Sequence, residues 1–347
     1  MNTEDAAKNM PSLQMPPDAI LSQMLWGGLM QQSICVAAKL GIADLLAEKP
    51  QTVEELAAKT KAHESSLYRV LRLLASAGVF AENSDGKFEL TPLAELLRQD
   101  APNSMRDFAI MLGEDWMWQA WGALMHSVKT GEVAHEKLQG MSSFEYFERN
   151  EKAGKVFNRA MTNLSQMVVP AIVEAYDFSG AKKIVDIAGG HGYLLAGILK
   201  ANPNLQGVLF DLPYVIENAG ALLEKEGVGS RVELVWGDFF ESVAVGGDIY
   251  MMKDIIHDWD DASSVKILQS IRSAINENGK VLIVEMVVPE GNEPSPSKLL
   301  DINMLVMEGG KERTEKEYRD LLAAADFRLT RIIPTRSPMS IVEAMRN

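Results

Sequence analysis

Residues 251 to 261, MMKDIIHDWDD, set one histidine, His257, among four aspartates behind a run of strand-forming apolar residues. An imidazole beside carboxylates can act as a general base, because a carboxylate on one ring nitrogen fixes the tautomer and leaves the other free to take a proton. Two structural readings compete with that one. The residue could cap a surface helix, or it could be satisfied by a neighbouring carboxylate. A catalytic histidine needs a site around it, so the decision rests on the rest of the chain.

Upstream, the segment DIAGGHGYLLAGIL holds Gly189, Gly190 and Gly192, which permit tight turning and close backbone approach to a ligand before a helix. The dinucleotide pattern G-x-G-x-x-G can be started at Gly190 and Gly192, but its third position is Leu195, which weakens a nicotinamide reading. Asp186 precedes the loop, and Asp211 stands where a carboxylate can accept hydrogen bonds from both hydroxyls of a ribose. In GDFF, Asp238 is placed to meet an adenine amino group while Phe239 packs on the ring. Each acid alone reads as a loop or cap residue. Three at successive strand ends point to an adenosine pocket.

The elements that must position these residues are legible from Lys183 onward. KIVDI, GVLFD, VELVW, DIYMMK and KVLIVEM alternate with segments of helical period, which predicts a parallel sheet covered on both faces by helices. Ligands of such α/β sheets bind outside the carboxyl ends of the strands. RLTRIIPT and SIVEAMR flank RSPM and predict a final antiparallel pair.

The first hundred residues read differently. Thr52 and Glu55 have capping-box spacing, and a second helix from about Ser65 carries Leu67, Val70, Leu71 and Leu74 on one face until Gly78. VFAE and KFEL then flank the turn NSDG, giving helix, turn, helix and a small β-wing. A winged helix that reads DNA needs basic side chains on its second helix and wing. From Thr52 to Pro92 there are five Lys and Arg against six Asp and Glu, so the module reads as a packing or dimerisation element. Between the two parts, Trp116, Trp118 and Trp121 and then Phe157, Met161 and Met167 have helical spacing, which usually means core and makes them secondary pocket candidates.

Composition narrows the partners. A chain of 347 residues has the length of two domains, here residues 15–100 and 105–347. The formal charge of −14 repels phosphate backbones and anionic lipid, so nucleic acid and membrane are not expected partners and a small molecule is. No apolar run approaches the roughly 18 residues needed to span a bilayer. The opening MNTEDAAKNM lacks the features of a secretory signal, so a cytoplasmic protein with a loose first 15 or so residues is expected. The single cysteine, Cys35, lies in apolar SICVAAKLGI and reads as a buried structural thiol. The histidines at 63, 126, 135, 191 and 257 share no ligand spacing, so no metal is expected.

The order VDIAGGHG, LFDLP, GDFF, MKDIIHDWDD, IVEMVVPE and GGKERTEKEY resembles the S-adenosylmethionine-dependent small-molecule O-methyltransferases of the plant caffeic-acid and acetylserotonin type and their bacterial relatives, over nearly the whole chain. The resemblance implies a Rossmann-like class I methyltransferase sheet with helices on both faces, preceded by a winged-helix dimerisation domain, in a homodimer. It implies S-adenosyl-L-methionine bound by Asp186, Gly189, Gly190, Asp211, Leu212, Asp238, Phe239 and Lys253. It also implies His257 as general base flanked by Glu285 and Glu312, and an acceptor held by Phe157, Met161, Asp258, Met304 and Met307. One departure is Ala188, where the plant enzymes usually have a third consecutive glycine; a contact made by backbone tolerates alanine, so the departure bears on cofactor affinity rather than on function.

The chemistry fits those residues. Methyl transfer to oxygen is an in-line displacement, so an oxygen must be held about 3 Å from the methyl carbon and lose its proton. Neutral His257 can take it, and Glu285 or Glu312 can hold the imidazole. Two other classes remain as expectations to test: a methyltransferase-fold protein doing decarboxylation or hydroxylation, and a winged-helix ligand-sensing regulator.

Overall fold

The computed structural model describes residues 15–347, so the expectation for the extreme N-terminus lies outside the described residues. Two compact units divide between Gly113 and Glu114.

In the first unit a helix, Pro17–Lys39, precedes the winged-helix elements. Thr52 caps helix Val53–Thr60 through a complete capping box with Glu55. Helix Glu64–Ser76 turns Leu67, Leu71 and Leu74 inward, where they meet Ile42, Leu56, Phe80 and Phe88. The wing, Phe80–Glu82 with Lys87–Leu90, gains a third strand that the turn residues did not announce, because Gln51–Thr52 pairs antiparallel with Lys87 and Phe88. Cys35 is buried, as its apolar neighbours predicted.

The second unit holds a seven-stranded sheet. Its strands are β1 (Lys183–Ile187), β2 (Gln206–Asp211), β3 (Val232–Trp236), β4 (Ile249–Lys253), β5 (Lys280–Glu285), β6 (Phe327–Pro334) and β7 (Ser340–Arg346). Their order is β6-β7-β5-β4-β1-β2-β3, parallel except where β7 runs antiparallel to both β5 and β6. Successive residues of the central strands enter opposite cores. Met251, Leu282 and Val284 pack with Leu195, Leu209 and Ile172, while Tyr250, Met252, Val281 and Ile283 pack with Ile267, Leu268 and Leu321. Burial on both faces explains why these strands read as continuous apolar runs rather than alternating ones.

The chain leaves β1 toward β2 and returns from β3 to β4 on the other side of β1, so the strand order reverses between β1 and β4. The crevice outside that reversal is where open α/β sheets bind ligands. The glycine loop follows β1 and the His257 turn follows β4, so both border it. No helix among the described residues is long and apolar enough to cross a membrane.

Candidate active site

The loop after β1 is shaped by close approach. A Cβ on Gly189 would lie 2.5 Å from both the Asp186 carboxylate and Leu209, and Gly190 and Gly192 adopt φ of +61° and +81°. Ala188 also adopts a left-handed φ, +52°, which is strained for a residue with a Cβ, while its N–H donates to the Phe210 carbonyl at 2.7 Å. Asp211 anchors the loop from β2: its Oδ2 accepts the Gly190 N–H at 2.8 Å and its Oδ1 the Leu212 N–H at 2.7 Å.

Asp186 is 1% exposed, and its Oδ2 has no hydrogen-bond partner among the described residues. Burial, reinforced by the Asp211 charge, pushes its carboxyl up to about 7, with Lys253 opposing. Burial also raises Asp211 against the two N–H donors that lower it. Two buried acids facing one loop, one with an orphaned oxygen, suit a ligand that brings positive charge and hydroxyl donors. S-adenosylmethionine carries a sulfonium, an ammonium and two ribose hydroxyls, so these residues fit it. Asp238 is exposed and its Oδ1 accepts the Phe240 N–H at 2.8 Å, while Phe239 packs on Phe240 and Trp259, with ring centroids 4.9 and 6.0 Å away. Lys253 ends β4 and pairs with Asp254 at 2.5 Å.

His257 lies four residues past β4, in the 3₁₀ turn Ile256–Asp258, and is 6% exposed. Its Nδ1 is 2.5 Å from Glu312 Oε1, and its Nε2 is 3.4 Å from Asp258 Oδ1. Glu285 plays a different part. Its Oε1 accepts the backbone N–H groups of Ile255 and His257 at 3.2 and 3.1 Å, and its Oε2 accepts the Tyr318 hydroxyl. One glutamate therefore holds the ring and the other the turn.

A short parallel ladder brings the two glutamates together, since Val287 and Val288, just beyond Glu285, pair with Arg313 and Thr314, just beyond Glu312. The fully buried Arg313 clasps the turn from both ends, donating to the carbonyls of Ile256 and Trp259 at 2.9 Å each and to Asp261 at 2.8 Å. A Cβ on Gly310 would collide with the His257 carbonyl, so only glycine lets this segment lie against the turn.

Burial pushes the His257 imidazole toward neutrality, but Asp258, Glu312, Glu285 and Asp254 outweigh it and hold the pKa well above 6.5. Glu312 is raised by burial and pulled back by His257.

Met304 and Met307 are buried on helix Pro296–Met307, which ends at Glu308. Phe157, on helix Glu151–Ala175, stacks on Phe147 at 4.5 Å, and Met161 is half-buried one turn further on. Phe147 belongs to helix Ser143–Arg149, whose Ser143 hydroxyl donates to Glu308. Trp116 is buried and meets Phe147 edge-on at 4.9 Å. Ser143, Glu308, Arg313 and Tyr318 carried no motif signal of their own at their spacing. Only GGKERTEKEY hinted at the last two.

A doubly wound sheet with an acidic, glycine-lined crevice and a buried, carboxylate-paired histidine beside it defines a class I methyltransferase. Residues 121–328 match the O-methyltransferase domain and residues 23–100 the O-methyltransferase dimerisation domain. The chain belongs to the S-adenosylmethionine-dependent O-methyltransferases. It is 49% identical to the phenazine O-methyltransferase PhzM of Lysobacter antibioticus, over 95% of this chain and 96% of that one. The crystal structure of LaPhzM superposes with a TM-score of 0.92, covering 96% of this chain and all of that one. The mitomycin biosynthesis 6-O-methyltransferase of Streptomyces lavendulae is 39% identical over 94% of each chain. The O-methyltransferase NcsB1, solved with S-adenosylmethionine and 2-hydroxy-5-methyl naphthoic acid, is 31% identical with a TM-score of 0.78, over 91% of this chain and 96% of that one.

Proposed function

We propose that this enzyme methylates a hydroxyl of a small aromatic acceptor, with His257 as general base and without a metal ion. The observation that carries the reading is the 2.5 Å contact between His257 Nδ1 and Glu312 Oε1. A carboxylate on Nδ1 favours the tautomer with the proton there, leaving the Nε2 lone pair to take the acceptor's proton as the new bond forms. Glu312 then stabilises the imidazolium, and Glu285 keeps the turn in place through its backbone N–H groups.

S-adenosyl-L-methionine, when bound, supplies an electrophilic methyl group on sulfur. In this reading Asp211 holds its ribose, Asp186, Gly189, Gly190 and Leu212 line the loop around it, Asp238 and Phe239 meet the adenine, and Lys253 flanks it. Phe157, Met161, Met304 and Met307 form an apolar wall for a flat acceptor, and Asp258 borders the reacting oxygen. Names such as phenazine and mitomycin among the relatives support an acceptor of that size and shape.

Residues 15–100 serve as the dimerisation domain of a homodimer and residues 105–347 as the catalytic domain. The enzyme works in the cytoplasm without a nucleic-acid partner. Mass spectrometry after incubation with methyl-labelled cofactor and a panel of hydroxylated aromatics, with and without EDTA, tests the function. Label on the oxygen of at least one acceptor, undiminished by EDTA, is expected; label on no acceptor, or label lost with EDTA, contradicts it.

A further inference from the structure

Glu308 closes the helix that carries Met304 and Met307, and methyl transfer as derived above leaves it without a task. It is tethered on both sides. One carboxylate oxygen accepts the Ser143 hydroxyl, and the chain that follows is pinned against the His257 turn, with Gly309 at φ +78° and Gly310 against the His257 carbonyl. A flexible acid has thus become a fixed one beside the base.

Burial raises the Glu308 carboxyl to about 7, with the Ser143 hydroxyl and His257 opposing, and burial, reinforced by the charge of Glu308, holds Asp258 well above its ordinary value. The charge of each acid is therefore felt at the His257 turn. Among the described residues, the Asp258 carboxylate makes a long 3.4 Å contact to His257 Nε2, and Glu312, 3% exposed, has an Oε2 without a hydrogen-bond partner. Buried acceptor atoms lacking donors are costly, and a ligand that brings donors relieves that cost. A ligand carboxylate in the same place adds like charge where water screens little.

We propose that Glu308, held by Ser143, is a specificity-determining residue of the acceptor pocket. It receives an O–H or N–H group carried beside the methylated hydroxyl, and it turns away acceptors that carry a carboxylate at that position. NcsB1 was solved with a hydroxy naphthoic acid, so the general scaffold admits such a ligand and the discrimination belongs to side chains. The inference rests on the placement of the acceptor beside His257, but its test reads binding, so it stands or falls apart from the role of His257 as base.

The test uses the full chain loaded with S-adenosylhomocysteine and two ligands of one ring system, 2,3-dihydroxynaphthalene and 3-hydroxy-2-naphthoate, by calorimetry. The wild-type enzyme should bind the diol at least about tenfold more tightly, the worth of one charge-assisted hydrogen bond. Glu308→Gln should narrow the ratio to about threefold or less while S-adenosylhomocysteine affinity stays at the wild-type value. Ser143→Ala, which frees the carboxylate without removing it, should narrow the ratio in the same direction and decides the matter if Glu308→Gln does not fold. A wild-type preference for the naphthoate, no binding of the diol, or a ratio unmoved in the folded variants overturns the proposal.

Discussion

Glu312 Oε1 sits 2.5 Å from His257 Nδ1, while Glu285 reaches the same residue only through its backbone N–H at 3.1 Å. The two acids therefore differ in what their loss does. Glu312→Gln should lower the methylation rate by roughly 10², since the imidazole loses both its orientation and its counter-charge. Cofactor affinity should not change. A Glu312→Gln enzyme at the parental rate would place the orienting carboxylate elsewhere.

The pH profile carries a sign. Because the acids around His257 hold its pKa well above 6.5, the rate should rise with pH through a limb above 6.5 as the imidazole loses its proton. Removing an anion favours the neutral ring, so Asp258→Asn should move the limb to lower pH, and further than Glu312→Gln, because Asp258 is the larger of the two upward influences. A limb that moves upward in Asp258→Asn, measured as kcat/KM against pH, contradicts the electrostatic account.

Asp211→Asn should weaken S-adenosylmethionine binding about ten- to a hundredfold by calorimetry, with acceptor KM unchanged at saturating cofactor. Unchanged cofactor affinity would move the ribose site away from the end of β2.

Ala188 tests the strained loop. A left-handed conformation costs a residue with a Cβ about 1–2 kcal/mol, and glycine costs roughly 0.5–1 kcal/mol in lost chain entropy. Ala188→Gly should therefore leave the enzyme as stable or up to about 1.5 kcal/mol more stable in a denaturant titration. A loss of stability would mean that the alanine methyl makes a contact that outweighs the strain.

Helix Pro17–Lys39 leaves Met24, Leu25 and Trp26 exposed by 71, 74 and 65%, an apolar surface that suits contact with a second copy. Light scattering should give about twice the 38.2 kDa chain mass, falling toward a single chain in Leu25→Glu/Trp26→Glu. A clean monomer at micromolar concentration contradicts the dimer.

The central strands were legible because both their faces are buried, so they appear as nearly continuous apolar runs between helical periods, whereas the edge strands β3 and β6 carry exposed polar positions. The capping box at Thr52 and the turn at NSDG made the winged helix equally plain. Strand Gln51–Thr52 was not, since two residues have no period. His257 could be nominated from its acidic neighbours, but which glutamate holds the ring depends on the Val287–Arg313 ladder, a contact between segments 26 residues apart in number that no local pattern announces. Glu308 was hidden for the same reason: its partner, Ser143, is remote in sequence, and only folding makes the pair.

The proposed role of His257 as base is tested most directly by His257→Ala in single-turnover methylation at neutral pH, with an acceptor whose hydroxyl has a high pKa. The rate should fall by roughly 10² or more while S-adenosylmethionine affinity stays near the parental value, and the pH limb assigned to the imidazole should vanish. A His257→Ala enzyme that methylates that acceptor at the parental rate would make the histidine a structural element of its turn and contradict the mechanism.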